Sequence, residues 1–138
     1  KEVMEFEDNF YVVVFEKSTG LGAFELLVDR YTGSVYPEPG PNMMWNTKYG
    51  MMGRLGRTAT VSTPVGLEQA KRYAQEFLDD NIPGASVDDV HIFYGYYTIH
   101  VARGGRVYGM LSVNGYTGQV WYHTWHGAFI AEKEIAER

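Results

Sequence analysis

The chain has no cysteine among its 138 residues. That removes disulfides, thiol nucleophiles and thiolate metal sites, without fixing a compartment. It also lacks any apolar run near the ~20 residues that a membrane-spanning helix needs, so no direct membrane insertion of this segment is expected. Positive charge is scarce: 12 basic residues face 17 acidic ones, for a formal net charge of −5. With no basic stripe to neutralise phosphates, nucleic acid and anionic membrane surfaces are poor partners. Only five prolines occur, and three of them fall in Pro37-Glu38-Pro39-Gly40-Pro41, a stretch that no helix or central strand tolerates. The chain opens at Lys1 in strand-like sequence and reads as an excised segment, with any export signal or anchor expected outside it.

What is present is aromatic and repetitive. Aromatic residues make up 15% of the chain, with 11 Tyr. Their apolar bodies and polar tips suit half-buried sheets and binding surfaces. Tyr31-Thr32-Gly33-Ser34-Val35-Tyr36 returns as Tyr116-Thr117-Gly118-Gln119-Val120-Trp121, an offset of 85 positions that also carries Leu26 and Val28 onto Leu111 and Val113. Phe10 to Phe15 likewise resembles Tyr96 to Val101, one position further out. The repeat predicts two related units, with any site made where they meet. In each Thr-Gly pair the glycine is expected to supply the positive φ of a tight reversal.

Alternation of apolar and polar residues predicts strands at Val3 to Glu7, Phe10 to Lys17, Ala23 to Arg30 and Ser34 to Tyr36. In the third of these, Phe24, Leu26 and Val28 share one face and Glu25 and Asp29 the other. Thr63-Pro64 reads as a helix cap and first turn. Leu67, Ala70, Tyr73, Ala74, Phe77 and Leu78 then form an apolar stripe that ends near Asn81. Four more strands follow, at Val87 to Tyr94, Tyr96 to Arg103, Arg106 to Val113 and Gln119 to His123. Ala131 to Arg138 is charged and helix-favouring, and reads as a short helix or a frayed end.

The segment from Thr63 to Tyr122 resembles the PepSY family through Leu67-Glu68-Gln69-Ala70, Pro83-Gly84, Tyr97-Thr98-Ile99-His100-Val101 and Val113-Asn114-Gly115-Tyr116-Thr117-Gly118-Gln119-Val120. Val28-Asp29-Arg30-Tyr31-Thr32-Gly33-Ser34-Val35 carries the likeness into the first half. The resemblance implies an α+β fold of two tandem units, each an antiparallel sheet packed against a helix, with the first unit's leading helix expected upstream of Lys1. It divides the chain into a first unit at 1–41, a Met-rich connector at 42–62, a second unit at 63–127 and a C-terminal segment at 128–138. It also implies a non-enzymatic extracytoplasmic module, periplasmic or at the cell surface, that needs no cofactor. Such a module serves a protein or peptide partner, for example a peptidase or a membrane protein. The rival readings are a soft-metal site and a purely structural ectodomain.

The two halves differ most just after their last strands. At the offset of 85, Pro37 to Asn42 corresponds to Tyr122 to Gly127, so the Pro- and Met-rich exit of one half matches the His- and Trp-rich exit of the other. If these exits meet, Met43, Met44, Met51 and Met52 with His123 and His126 form a candidate site for Cu(I) or Ag(I), since thioethers and imidazoles suit soft ions. Core filling by Met competes with that reading. Trp45, Asn46, Tyr49, Trp121 and Trp125 offer aromatic area with hydrogen-bonding tips, the composition of a partner surface. His91 and His100 stand apart and read as surface or half-buried side chains. No catalytic constellation is legible, so no enzyme is expected. Ser62, Ser86 and Ser112 sit in no nucleophile elbow. Glu25 and Asp29, four apart on one strand, lie ~13 Å apart at ~3.3 Å per residue, too far for a carboxylate pair. Gly20-Leu21-Gly22 lacks the remainder of a nucleotide loop.

Overall fold

The computed structural model describes residues 2–50 and 62–134. Four consecutive strands, β1 (Glu2–Phe6), β2 (Asn9–Phe15), β3 (Gly22–Asp29) and β4 (Val35–Pro37), form an antiparallel meander. A short helix α1 (Pro41–Met44) follows, and later the 15-residue helix α2 (Leu67–Asn81). A second meander then repeats the first: β5 (Ala85–Ile92), β6 (Tyr96–Arg103), β7 (Arg106–Asn114) and β8 (Val120–Tyr122). The last strand, β9 (Phe129–Glu134), returns to pair with β1 and gives a five-stranded sheet in the order β4-β3-β2-β1-β9 beside a four-stranded sheet β5-β6-β7-β8.

The fold is therefore mostly β, which corrects the expected α+β pair of sheet-plus-helix units. Among the described residues only α2 exceeds one turn or so, and it covers the four-stranded sheet alone. The reason is visible in β6, where every residue from Tyr96 to Val101 is buried. Tyr97, Ile99 and Val101, with Leu111 and Val113 of β7, pack on Ala70, Ala74 and Leu78 of α2. The opposite face of the same strands, with Tyr96 and Met110, packs on Met4, Phe6, Tyr11, Val13 and Leu27 of the five-stranded sheet. One sheet buried on both faces thus serves as the cover that a first helix was expected to supply.

Local corrections have local causes. Helix α2 starts at Leu67, with Gly66 at its N-cap and no side-chain cap. The Thr63 hydroxyl donates instead to the Val65 carbonyl at 2.9 Å. The expected helix or frayed end after Ala131 begins instead as strand, because β1 offers an open hydrogen-bonding edge and sheet pairing outweighs weak helix propensity; residues 135–138 lie outside the described ones. In β3 the faces alternate as the sequence predicts, but the inward set is Ala23, Glu25 and Leu27, so a glutamate enters the space between the sheets. The repeated turns agree closely. Gly33 and Gly118 have φ of 76° and 78°. Asp29 Oδ1 accepts from the amides of Tyr31 and Thr32 at 2.9 and 2.8 Å, and Asn114 Oδ1 does the same for Tyr116 and Thr117 at 2.8 and 3.1 Å.

Candidate metal centre between the sheets

The matched exits from β4 and β8 do meet. Glu38 follows Pro37 directly, and its amide donates to the Glu25 carbonyl at 3.0 Å. The chain then bends at Gly40, whose φ of 76° and close approach to Trp125 and Trp121 leave little room for a side chain there. Asn42 ties the bend down, donating to the Glu38 carbonyl at 3.0 Å and accepting from the Glu25 amide at 2.8 Å. On the other side the His123 amide donates to the Met110 carbonyl at 2.9 Å, which carries the chain off β8 into the gap.

There Glu38, His123 and His126 converge, with relative exposures of 0%, 3% and 2%. His126 Nε2 lies 3.0 Å from Glu38 Oε2 and 3.4 Å from His123 Nδ1. His123 Nδ1 lies 3.6 Å from Glu38 Oε1. The other nitrogen of each ring is taken. His126 Nδ1 lies 2.9 Å from Asn9 Oδ1, and Asn9 spends its own amide protons on the Trp125 carbonyl at 2.9 Å. Oδ1 can then only accept, which places the imidazole proton on Nδ1 and leaves a lone pair on Nε2. His123 Nε2 is 2.8 Å from Ser112 Oγ, which is 2.9 Å from Thr98 Oγ1.

Packing fixes both rings. Phe6 stacks on His126 at 4.4 Å between centroids, and Trp125 stacks on His123 at 4.8 Å. The Trp125 indole N–H also donates to Glu38 Oε2 at 3.2 Å. Glu25 sits behind, accepting hydrogen bonds from Tyr11 and, at 2.7 Å, from Tyr96.

The electrostatics disfavour every charge that the cluster carries by itself. Burial pushes the Glu38 carboxyl up to about 8 against the opposing Trp125 N–H. Burial, and next the charge of Glu38, push Glu25 up to about 8 despite its hydroxyl donors. Burial lowers His126 to about 4 and holds His123 well below its ordinary range, where His126 and His100 push in the same direction. Glu38 Oε1 remains buried with no hydrogen-bond partner. Two imidazole nitrogens and the Glu38 carboxyl therefore face a common point. Such an arrangement is repulsive unless a proton or a cation occupies that point.

The predicted site residues distribute unevenly. His123 and His126 come together, with Trp125 against them. Met43 and Met44 are exposed at 40% and 49% and stand outside the centre; Met51 and Met52 lie outside the described residues. Among the described residues the donor set is thus two imidazoles and a carboxylate, without thioethers. Trp45 and Trp121 meet edge to face at 5.4 Å and are half-buried. Asn46 is buried in a turn, where it donates to the Ala23 carbonyl at 2.7 Å. Tyr49 alone of the expected partner surface is exposed. Glu38 was missed, although the offset of 85 places it at the position equivalent to His123.

A cavity of about 650 Å³ reaches this centre from outside. His123 and His126 border it, together with Arg103, Arg106, Tyr108 and Phe129. No known family model matches the chain, and neither does any curated protein or solved structure. The PepSY likeness accordingly stays a resemblance of short motifs.

Proposed function

We propose that this protein binds a divalent first-row transition ion, Zn(II) foremost, through Glu38, His123 and His126. The observation that carries this reading is the convergence of three buried side chains, with His126 Nε2 3.0 Å from Glu38 Oε2 and 3.4 Å from His123 Nδ1, and His123 Nδ1 3.6 Å from Glu38 Oε1. Ligands about 2.0–2.1 Å from a tetrahedral ion lie about 3.3 Å from one another. Imidazole and carboxylate suit Zn(II) and its first-row neighbours, whereas the Cu(I) expectation depended on thioethers. Asn9 and Ser112 act as positioning residues, holding each ring so that the correct nitrogen faces the ion. The bound ion supplies a positive charge that offsets the ionisation of the buried Glu38. This reading takes up the metal-binding rival of the sequence analysis, with a different donor set and ion, in place of the protein or peptide partner implied by the resemblance.

The test is Zn(II) titration of chelator-treated protein against a competing dye, with circular dichroism as the fold control. Wild type is expected to bind below micromolar Kd. E38Q/H126A is expected to lose roughly 100-fold or more at this centre, and N9A about 10–100-fold, the usual effect of removing a supporting hydrogen bond. Unchanged Zn(II) perturbation of the His123 ring in folded E38Q/H126A, followed by NMR, would overturn the reading.

A further inference from the structure

A second group of ligating side chains lies elsewhere in the same interlayer space, where β1 crosses β5 and β6. Glu2 and His100 are 7% and 1% exposed, and His91 is half-buried. Glu2 Oε1 lies 3.2 Å from His100 Nε2 and 3.3 Å from His91 Nε2. The two rings meet edge to face at 5.2 Å, and Phe15 closes on His91 at 5.5 Å. His100 Nε2 is buried and makes no hydrogen bond, although a carboxylate oxygen is within reach. Its approach to Glu2 is off the hydrogen-bond line. His91 Nε2 is within hydrogen-bond reach of the same oxygen, so one carboxylate oxygen faces both rings, as ligands of a shared ion do.

The surrounding charge points the same way. The charges of Glu132 on β9 and Asp89 on β5 both act on His100. Three acidic side chains around two imidazoles make an excess of negative charge, part of it inside the protein. This arrangement differs from the Glu38 centre, where the hydrogen-bond partners Asn9, Ser112 and Trp125 are neutral and all three ligands are buried.

We propose that Glu2, His91 and His100, with Glu132 beside them, form a second site for a divalent transition-metal cation, separate from the Glu38 centre. The site is more acidic and more open, so its ion exchanges faster and is removed first by a chelator. Zn(II) and Co(II) are the ions of choice for imidazole and carboxylate donors.

The experiment uses the full chain, stripped of metal and reloaded with Zn(II). Bound metal is counted after gel filtration, and the four imidazoles are followed by NMR. Wild type is expected to hold two ions and to shift all four rings. H91A/H100A is expected to hold one and still shift His123 and His126. E2Q/H91Q tests the same loss with less disturbance of the interior, since Glu2→Gln is nearly isosteric and His91 is the less buried histidine. E38Q/H126A is expected to hold one ion and still shift His91 and His100. Wild type with a single ion, lost in E38Q/H126A and kept in E2Q/H91Q, overturns this second site and leaves the first standing. The reverse pattern overturns the first and leaves the second. Unmoved His91 and His100 rings in loaded wild type also overturn it.

Discussion

Gly33 and Gly118 occupy the same place in the repeated turn, yet a methyl group at each meets a different setting. Both have positive φ, so either alanine is strained by roughly 1 kcal/mol or more. At Gly33 nothing lies within 4 Å of the added carbon, whereas at Gly118 it meets the Tyr73 ring at 2.7 Å. G118A is therefore expected to lower unfolding free energy by about 1–2 kcal/mol more than G33A, since the methyl also displaces the Tyr73 ring of α2, which packs against the core beneath that helix. Urea denaturation measures both; equal losses would show that the ring yields freely. The turn itself was legible, because Thr-Gly after an Asp or Asn has few other uses. The ring against it was not, because Tyr73 lies on a distant helix. The same holds for Glu38. Its place in a Pro-rich bend was readable, but its partners are 85 and 88 positions away.

At the scale of elements, eight strands and the long helix could be read from periodicity, with ends shifted by no more than about three residues. Strand β9 could not. Its sequence favours helix, and only the open edge of β1 selects it as a strand. Phe129 anchors this choice, meeting Phe6 edge to face at 5.7 Å, and Phe6 in turn stacks on His126. F129A is expected to cost about 1–2 kcal/mol for a half-buried ring, below the 3–5 typical of a fully buried one. Thermal melts measure it. A larger fall in Zn(II) affinity than F24A produces would show that β9 supports the metal centre through Phe6. Leu78 gives the internal comparison on α2: fully buried against the four-stranded sheet, L78A is expected to cost about 2–5 kcal/mol while leaving the Zn(II) affinity of the folded protein unchanged.

For the whole molecule, the buried ionisable groups set how stability varies with pH. In metal-free protein Glu25 and Glu38 keep their protons to about pH 8, against an ordinary value of 4.5. Between those values the native state binds more protons than the unfolded chain, so stability falls as pH rises. His126, lowered to about 4 from 6.5, acts in the opposite sense, and its contribution is complete above pH 6.5. From pH 6.5 to 8 only the downward slope remains, about 1.4 kcal/mol per pH unit for each carboxyl. The Tm of chelator-treated protein is expected to fall across that window. With excess Zn(II) it is expected to rise, because the ion binds the deprotonated ligands and stabilises the native state. Calorimetry at fixed ionic strength reads both curves; parallel curves would show that no ion replaces these protons.

The sequence by itself determined the strands, the apolar stripe of α2, the paired turns and the doubling of the chain, because those depend on neighbours within a few positions or on visible self-similarity. It also showed that the matched exits after β4 and β8 were where the halves diverge. Only the tertiary structure decided that the first sheet is covered by the second and not by a helix, that Glu25 faces inward, and that Glu38 joins His123 and His126. Those outcomes depend on which face of each sheet meets the other, and alternation along a strand defines two faces without saying which one is turned inward.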